Sequence, residues 1–498
     1  MKRIFILLAI TASLVSCVDL MQKPHSTLTT ETIVLNDQVL ESLANGLYKD
    51  WWGENYGFNC RLASLSLAAD DMISGDLAKT RLVLDDQMRV PVDNAEVQIL
   101  WKEFYKAIFS ANNMISLIES NTTLPKSTTD KYLGEAYFIR SLMYFYIVRL
   151  WGDAPAITDP QGNADINGKT NMPRTSVKEI YNKIIVPGFK NAETLLPAES
   201  RDVYNQAPTL WAAKIALADV YLNMAGWPLK ETSYYALAAA KAKEVVESPH
   251  KLMPEYKSLW LKANSTDRTE HIFALNHTLS YLPSQYGISY LGYEEGGWSD
   301  YCADPVFYAG YPEDKRKEFI FVTETVDKSG KPIQWGNFST SSPYIRKYRN
   351  FGGCGTYGIE GETSKAASLS EGITPIYRYA DALLFYAEAS NKAEGTPNTL
   401  AYQCLNDVRD RAFGDEMHRV ANGLSSEDFD KAVFDEFGWE NAFEFKRWFQ
   451  LVRTEKVDEM LKKNTNVGAR VDAGKQNYLF PVPVRQVELR RWQNNPGY

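Results

Sequence analysis

Every residue from Leu142 to Val148 is apolar, inside the longer stretch GEAYFIRSLMYFYIVRLWGDAP that runs from Gly134 to Pro155. A solvent-facing helix cannot carry apolar residues on all sides, and a membrane span needs about 18 or more of them in a row. Arg140 and Arg149 interrupt the run well short of that. The segment therefore predicts a helix buried on all faces in the core of a soluble body. Gly152 stands where a left-handed cap is cheapest and Pro155 keeps the helix from resuming.

Amphipathic patterns flank this helix on both sides. Leu100 to Ser120 repeats apolar residues at Trp101, Phe104, Tyr105, Ile108, Ala111 and Ile115, one face of a helix. Ser176 to Leu196, Pro208 to Ala225 and Ser233 to Glu247 read the same way, with Pro208 placed in a first helical turn. Further along, Arg378 to Glu394 stops at Gly395 and Pro397, and Leu400 to Arg411 and Asp435 to Lys463 follow as helices. Helices in adjacent pairs that cannot bury their faces alone stack into a solenoid, and Leu133-Gly134-x-x-Tyr137 is a fragment of the tetratricopeptide pattern. No clean 34-residue period supports it. Between the helical flanks the chain is rich in Gly, Pro and aromatic residues. The fold expected is mainly α: a tetratricopeptide-like scaffold of helical pairs in two parts, 37–273 and 377–498, around a loop-rich, aromatic-rich insertion at 274–376.

Lys2 and Arg3 precede a short apolar run, Ile4 to Ile10, and Leu14-Val15-Ser16-Cys17 has the form of a lipoprotein cleavage site. Residues 1–16 are thus expected to be a signal peptide, Cys17 the lipidated residue, and 17–36 a polar, Thr-rich tether. Such a chain is anchored to a membrane without spanning it. Lys and Arg number 54 against 62 Asp and Glu, a net charge of −8, and no basic cluster appears. Nucleic acid is excluded as a partner and a neutral ligand fits better. Cys60, Cys302, Cys354 and Cys404 are scattered without a C-x-x-C, so their spacing indicates neither zinc nor a disulfide framework. A structural calcium on one of the acidic loops stays open although no D-x-D-x-D-G run marks one, and no other cofactor is expected.

Several separated motifs form a set: the Gly134–Pro155 stretch, Trp101 with Tyr105 and Ala111-Asn112, Asp314-Lys315-Arg316, and Tyr344-Ile345-Arg346-Lys347-Tyr348. Arg378 to Ala389, Leu405 to Ala412, Tyr478 to Pro483 and the ending Gln493 to Tyr498 complete it. In this order they resemble the SusD/RagB family of nutrient-binding lipoproteins. The chain departs from the family pattern at Phe437, Phe445 and Gln450. The resemblance implies a tetratricopeptide-like scaffold with an insertion. It also implies a surface lipoprotein of the outer membrane that captures an oligosaccharide for a SusC-like TonB-dependent transporter. Exposure on the outer face rests on the resemblance, because only Asp19 supplies acidity after Cys17. Arg140, Glu388, Arg409, Glu444 and Arg447 lie on apolar helices, where paired charges act as internal struts.

The binding site is expected where aromatic residues stand outside any periodic pattern. Lys49 to Asp76 carries Trp51, Trp52 and Tyr56 before the acids Asp70 and Asp71, and 279–357 carries Tyr286, Tyr290, Trp298 and Trp335 among frequent Gly and Pro. Trp51, Trp52, Tyr56, Asp71, Tyr286, Tyr290, Trp298 and Trp335 are the candidate ligand contacts. Trp and Tyr offer a rigid apolar face with a polar tip, and part of such a set also packs an insertion onto its scaffold. Stacking a pyranose over roughly 60–80 Å² of ring is worth about 1.5–2 kcal/mol. Capture of peptides is the alternative cargo. Glycoside hydrolysis is the alternative class, with Asp70-Asp71, Glu294-Glu295 and Asp300 with Asp304 as the carboxylates available to it. No G-x-S-x-G, H-E-x-x-H, P-loop or dinucleotide fingerprint is present, so an enzyme is not expected.

Overall fold

The computed structural model describes residues 34–53, 57–160, 172–202, 206–326, 329–351, 354, 369–461 and 475–498. Cys17, with the signal peptide and most of the tether, and Tyr56 lie outside the described residues. Residues 37–498 form one unit.

Helices dominate, and they stack in order. The chain runs α1 (Asp37–Trp52), α2 (Gly57–Ser66), α3 (Ala95–Glu119), α4 (Lys126–Trp151), α5 (Val186–Leu195), α6 (Leu210–Ala225), α7 (Tyr234–Val246), α8 (Tyr379–Glu394), α9 (Thr399–Phe413) and α10 (Ser426–Glu440). Each of α3 to α9 packs on its predecessor, with α1 against α3, α7 against α8 and α10 also against α8. Because α8 follows α7 in space although about 130 residues separate them in sequence, the insertion leaves the solenoid unbroken.

The centre of the scaffold is α4, in which every residue from Phe138 to Val148 is buried. Gly152 ends it with φ +73°, and its N–H bonds the Val148 carbonyl. Helix α5 approaches so closely that a Cβ on Gly188 would stand 2.1 Å from Ser141 Oγ of α4. A π-turn at Tyr181–Ile185 leads into α5, just ahead of Pro187, a residue without a backbone N–H to give to a regular helix. Two expectations are corrected. Pro208 precedes α6 rather than opening it, and Thr209 is the cap, accepting from the Ala212 N–H. The stretch 435–463 is not one helix: α10 ends at Glu440, a turn follows, and short helices resume at Arg447–Arg453 and Val457–Leu461. Phe443 and Phe445 hold φ of +65° and +62° in that turn.

The insertion enters and leaves through an antiparallel ribbon of β2 (His271–His277) and β8 (Gly372–Arg378), buried along both strands. A small antiparallel sheet is built from β1 (Met72–Ile73), β3 (Cys302–Ala303), β4 (Phe321–Val322) and β7 (Tyr344–Ile345). Their order in it is β1-β3-β7-β4. Strand β1 comes from the N-terminal part of the chain, so this sheet places the loop after Ile73 beside the insertion. A hairpin of β5 (Glu324–Val326) and β6 (Pro332–Gln334) lies next to residues 293–295.

The charges on apolar helices are paired internally. Arg447 forks onto Asp70 at 2.7 and 2.9 Å, Arg409 meets Glu436 at 2.9 Å, and Arg453 clasps Glu388. Arg140 differs, donating to a neutral amide, Asn112 Oδ1, at 3.0 Å rather than to a carboxylate.

Candidate functional site

The loop from Gly75 to Lys79 and the segment from Gly292 to Asp300 meet at the surface over the small sheet. A Cβ on Gly75 would lie 2.6 Å from the Ser299 carbonyl and 2.4 Å from Cys302 Sγ, so only glycine lets the two backbones approach this closely. Beneath the loop, Asp86 Oδ2 accepts from the Ser74 N–H at 2.8 Å. The second segment is pinned by backbone bonds, Trp298 N–H to Ile288 O and Ser299 N–H to Leu291 O, while Glu295 is clamped by Arg349 at 2.6 Å.

On this base stand two exposed aromatic rings, Trp298 and Tyr293, each 38% exposed, with Leu77 at 70% beside Asp76 in the sequence. Lys79 Nζ lies 5.1 Å from the centroid of the Trp298 ring and pairs with Asp300 and, at 3.9 Å, with Asp76. That ammonium braces the indole from one side. The Tyr293 phenol is held above its ordinary pKa, first by burial and then by its hydrogen bond to the Asp76 carboxylate. The result is two exposed rings edged by Asp76 and Lys79, groups able to accept from and donate to hydroxyls.

Among the described residues singled out by sequence, Trp298 alone is an exposed ring. Trp335 is half-buried, edge-on to Tyr308 at 5.7 Å and packed against the cluster of Ile73, Cys302, Val322, Phe338 and Tyr344. Trp51 and Trp52 are corrected from loop to helix: they form the last turn of α1 and are buried. Trp51 stacks on Phe58 at 5.1 Å. Trp52, Tyr286 and Tyr290 are brought together, but in an internal column: Trp52 stacks on His277 at 4.2 Å, Tyr286 on Tyr348 at 3.8 Å, and Tyr290 sits 5.6 Å from Tyr286. Buried rings of this kind offer no face to a ligand. Burial lowers the His277 pKa to about 3, so the ring is neutral. Its Nδ1–H donates to the Leu282 carbonyl, which leaves Nε2 to accept from the Thr374 hydroxyl; that oxygen in turn accepts from Tyr286 OH at 2.7 Å. The column joins α1 to the insertion.

Asp71 is also internal. Its Oδ2 accepts from the Phe443 N–H at 2.9 Å, and burial lifts its pKa to about 6, with Asp70 adding to the rise. The bond holds the backbone of a residue in left-handed conformation. A carboxyl whose folded pKa exceeds its unfolded value of about 3.9 favours the fold in its neutral form. Stability from Asp71 is therefore full below about pH 4 and is lost as pH rises through 6. Asp71→Asn, which keeps an acceptor for Phe443, is expected to flatten this dependence. Between pH 4.5 and 7.5 the variant should gain up to about 2–3 kcal/mol on the parent, read from denaturant melts at both pH values.

The other acids available to a hydrolase are committed as well. Asp70 is taken by Arg447, Glu294 by Ser339 and Tyr344, Glu295 by Arg349, and Asp300 by Lys79. Asp304 Oδ1 caps the helix that begins at Pro305. Cys60, Cys302, Cys354 and Cys404 are free thiols. Among the described residues no group of three or more His, Cys, Asp or Glu is placed to hold a metal ion.

Asp76 and Lys79 belong to the platform and were not among the sequence candidates, while Tyr293 stands among the aromatic residues of the 279–357 segment without being one of the candidate contacts. The signal for Tyr293 was its spacing from Trp298 across Gly296-Gly297, a tight turn that lifts flanking side chains to the surface.

Comparison with known proteins agrees with this architecture. Residues 289–498 match the model of the SusD family, and residues 20–222 match a SusD-like family described as starch-binding associating with outer membrane. A SusD-like protein of Formosa agariphila is 27% identical, the match covering 100% of this chain and 99% of the relative. One of Bacteroides ovatus is 26% identical over 95% of this chain and 87% of its own. Among solved structures, a SusD homolog from Bacteroides thetaiotaomicron superposes with a TM-score of 0.82 at 22% identity, covering 94% of this chain and 98% of that one. Surface glycan-binding protein A of the same organism, solved with laminarihexaose, gives 0.74 at 18% identity over 92% and 99%. With both ends of the chain matched by SusD-type models and the helical scaffold shared throughout, the chain belongs to the SusD-like family.

Proposed function

We propose that this chain is a non-catalytic glycan-binding protein whose primary contact is the Trp298–Tyr293 platform. The observation that carries the reading is an exposed indole, braced by Lys79 and flanked by Tyr293, on a base fixed by backbone bonds. Such a surface stacks on the CH face of a sugar ring while Asp76 and Lys79 at its edge bond the hydroxyls. Solved proteins of the same fold are named for binding laminarin and laminarihexaose, which supports an oligosaccharide as cargo. The commitment of every candidate carboxylate to a partner supports binding without cleavage. Affinity electrophoresis against a panel of neutral and anionic polysaccharides, with reducing-sugar detection on the same mixtures, tests both halves. Retardation without release of reducing ends is expected; release would make it a hydrolase, and retardation by none of the polysaccharides would remove the reading.

The finer role is capture at the outer membrane and delivery to a SusC-like TonB-dependent transporter, with attachment through lipid on Cys17. It is supported by the signal-peptide pattern and by the outer-membrane association in the matching family's description. No helix of the described residues is long and apolar enough to cross a membrane. Cys17→Ala is expected to release the chain from outer-membrane fractions while leaving its melting curve unchanged. Retention of the variant in those fractions would sink lipidation as the attachment. Delivery predicts that the chain co-purifies with a large β-barrel transporter in mild detergent.

A further inference from the structure

Away from the platform, a groove of about 440 Å³ opens between the short helix Pro305–Gly310 of the insertion and α10 of the scaffold. That volume falls in the range of about 300–1,000 Å³ typical of small-ligand sites. Neither Trp298, Tyr293 nor Lys79 lines it. Its apolar walls are Val306, Phe307, Trp439 and Met460. Trp439 is half-buried and held in place from behind, where Tyr311 donates its hydroxyl to the Trp439 carbonyl at 2.8 Å and lies 6.3 Å away ring to ring. Val306 is 38% exposed at the mouth.

The polar groups of the groove come as ion pairs. Arg447 forks onto Asp70 in the wall and is oriented further by Gln450, whose Oε1 accepts from Nη1 at 2.6 Å. Lys431 and Asp435 pair near the mouth, the lysine side chain 70% exposed. An anion entering here would meet Asp70, Asp304 and Asp435, and a cation would meet Lys431 and Arg447. A hydroxyl suits both halves of an ion pair, since it donates to the carboxylate and accepts from the ammonium. An aromatic wall beside such a pair fits a ligand with one apolar face and a rim of hydroxyls.

We propose that this groove is a second saccharide site, in which a short neutral segment of glycan stacks on Trp439 and bonds across Asp435 and Lys431. The proposal rests on the glycan-binding reading above, and two sites on one chain would raise retention on a polysaccharide through effective concentration. The test labels the full chain with 5-fluorotryptophan and follows the fluorine resonances during titration with laminarihexaose, cellohexaose and maltohexaose. Trp439→Phe and Trp298→Phe assign the two signals. The expected result is a saturable shift at Trp439 that Val306→Arg weakens at least tenfold by filling the mouth, while the Trp298 shift is unchanged. A shift at Trp298 alone overturns the second site and leaves the platform standing. A shift at Trp439 alone keeps the groove and removes the platform. A Trp439 shift indifferent to Val306→Arg is transmitted from elsewhere and also overturns the groove, and silence at both resonances with all three hexaoses removes both.

Discussion

Replacing Arg378 with alanine is expected to destabilise the fold by about 3–5 kcal/mol or more, enough that little folded protein accumulates. Arg378 is fully buried where β8 runs into α8, and its guanidinium reaches Glu270 at 2.8 Å, Glu440 at 2.7 Å and Glu444 at 2.8 Å. It also donates to the Glu440 carbonyl and to Asn441 Oδ1. Around it, Arg411 shares Glu270 and Glu440, Arg316 binds Asp314, Glu436 and Glu440, and Lys347 binds Glu444 at 2.7 Å. Taking out the central cation leaves carboxylates in the interior with too few counter-charges, and that desolvation cost is not returned. Arg378→Lys should rescue little, because one ammonium cannot serve acceptors spread around a planar fork. Burial pushes the Glu440 pKa up, but Arg411, Arg378 and Arg316 outweigh it and hold the value at about 2. A depressed folded pKa gives stability that is full above the unfolded value of about 4.3 and lost as pH falls toward 2. Thermal melts of the parent should therefore collapse between about pH 4 and 2. Glu440→Gln should melt earlier at neutral pH and show a smaller loss on acidification.

This network also explains which parts of the fold could be read from sequence. The Leu142–Val148 run identified its helix because burial on all sides leaves a local signature, an unbroken apolar sequence. The order of helices and the helical character of the scaffold were legible for the same reason. The break in 435–463 was not: Glu440, Asn441 and Glu444 turn inward to reach Arg378, some 60 residues earlier in the chain, and no local pattern records that partner. Trp51 and Trp52 show a different failure. Gly53 and the Gly-Asn surroundings read as loop, yet Leu40, Ala44, Leu47, Tyr48 and Trp51 recur at helical spacing and are all buried, a periodicity that would have placed both tryptophans in a core helix. Tyr286 and Tyr290 carry no such hint, since their partners His277 and Tyr348 come from strands and turns brought together only by tertiary pairing. Exposure of Trp298 is equally non-local, and it follows from the tight turn at Gly296-Gly297 set against the Gly75 loop.

Trp298→Ala is expected to weaken glycan binding about ten- to a hundredfold, the equivalent of roughly 1.5–3 kcal/mol, while shifting the melting temperature little. The two halves of that expectation come from one observation: the ring is held by Lys79 on one side and is open on the other, so removing it costs contact with ligand but opens no internal cavity. Trp52→Ala provides the contrast, because its ring is buried against His277 and its Nε1–H donates to the Pro283 carbonyl at 3.1 Å. Truncation there creates a cavity and should cost about 3–5 kcal/mol of stability. Lys79→Met separates bracing from charge: it keeps the aliphatic stem beside the indole and frees Asp300, so a modest loss of affinity for neutral glycans is expected, well below that of Trp298→Ala. Calorimetric titration with a glycan retained in the affinity gels, paired with thermal unfolding of each variant, separates these outcomes. If Trp298→Ala binds as the parent does, the exposed pair is not the platform. If it melts as early as Trp52→Ala, the indole is a structural prop for the Gly75 loop, and the ligand contacts must be sought among Tyr293, Asp76 and Lys79 instead.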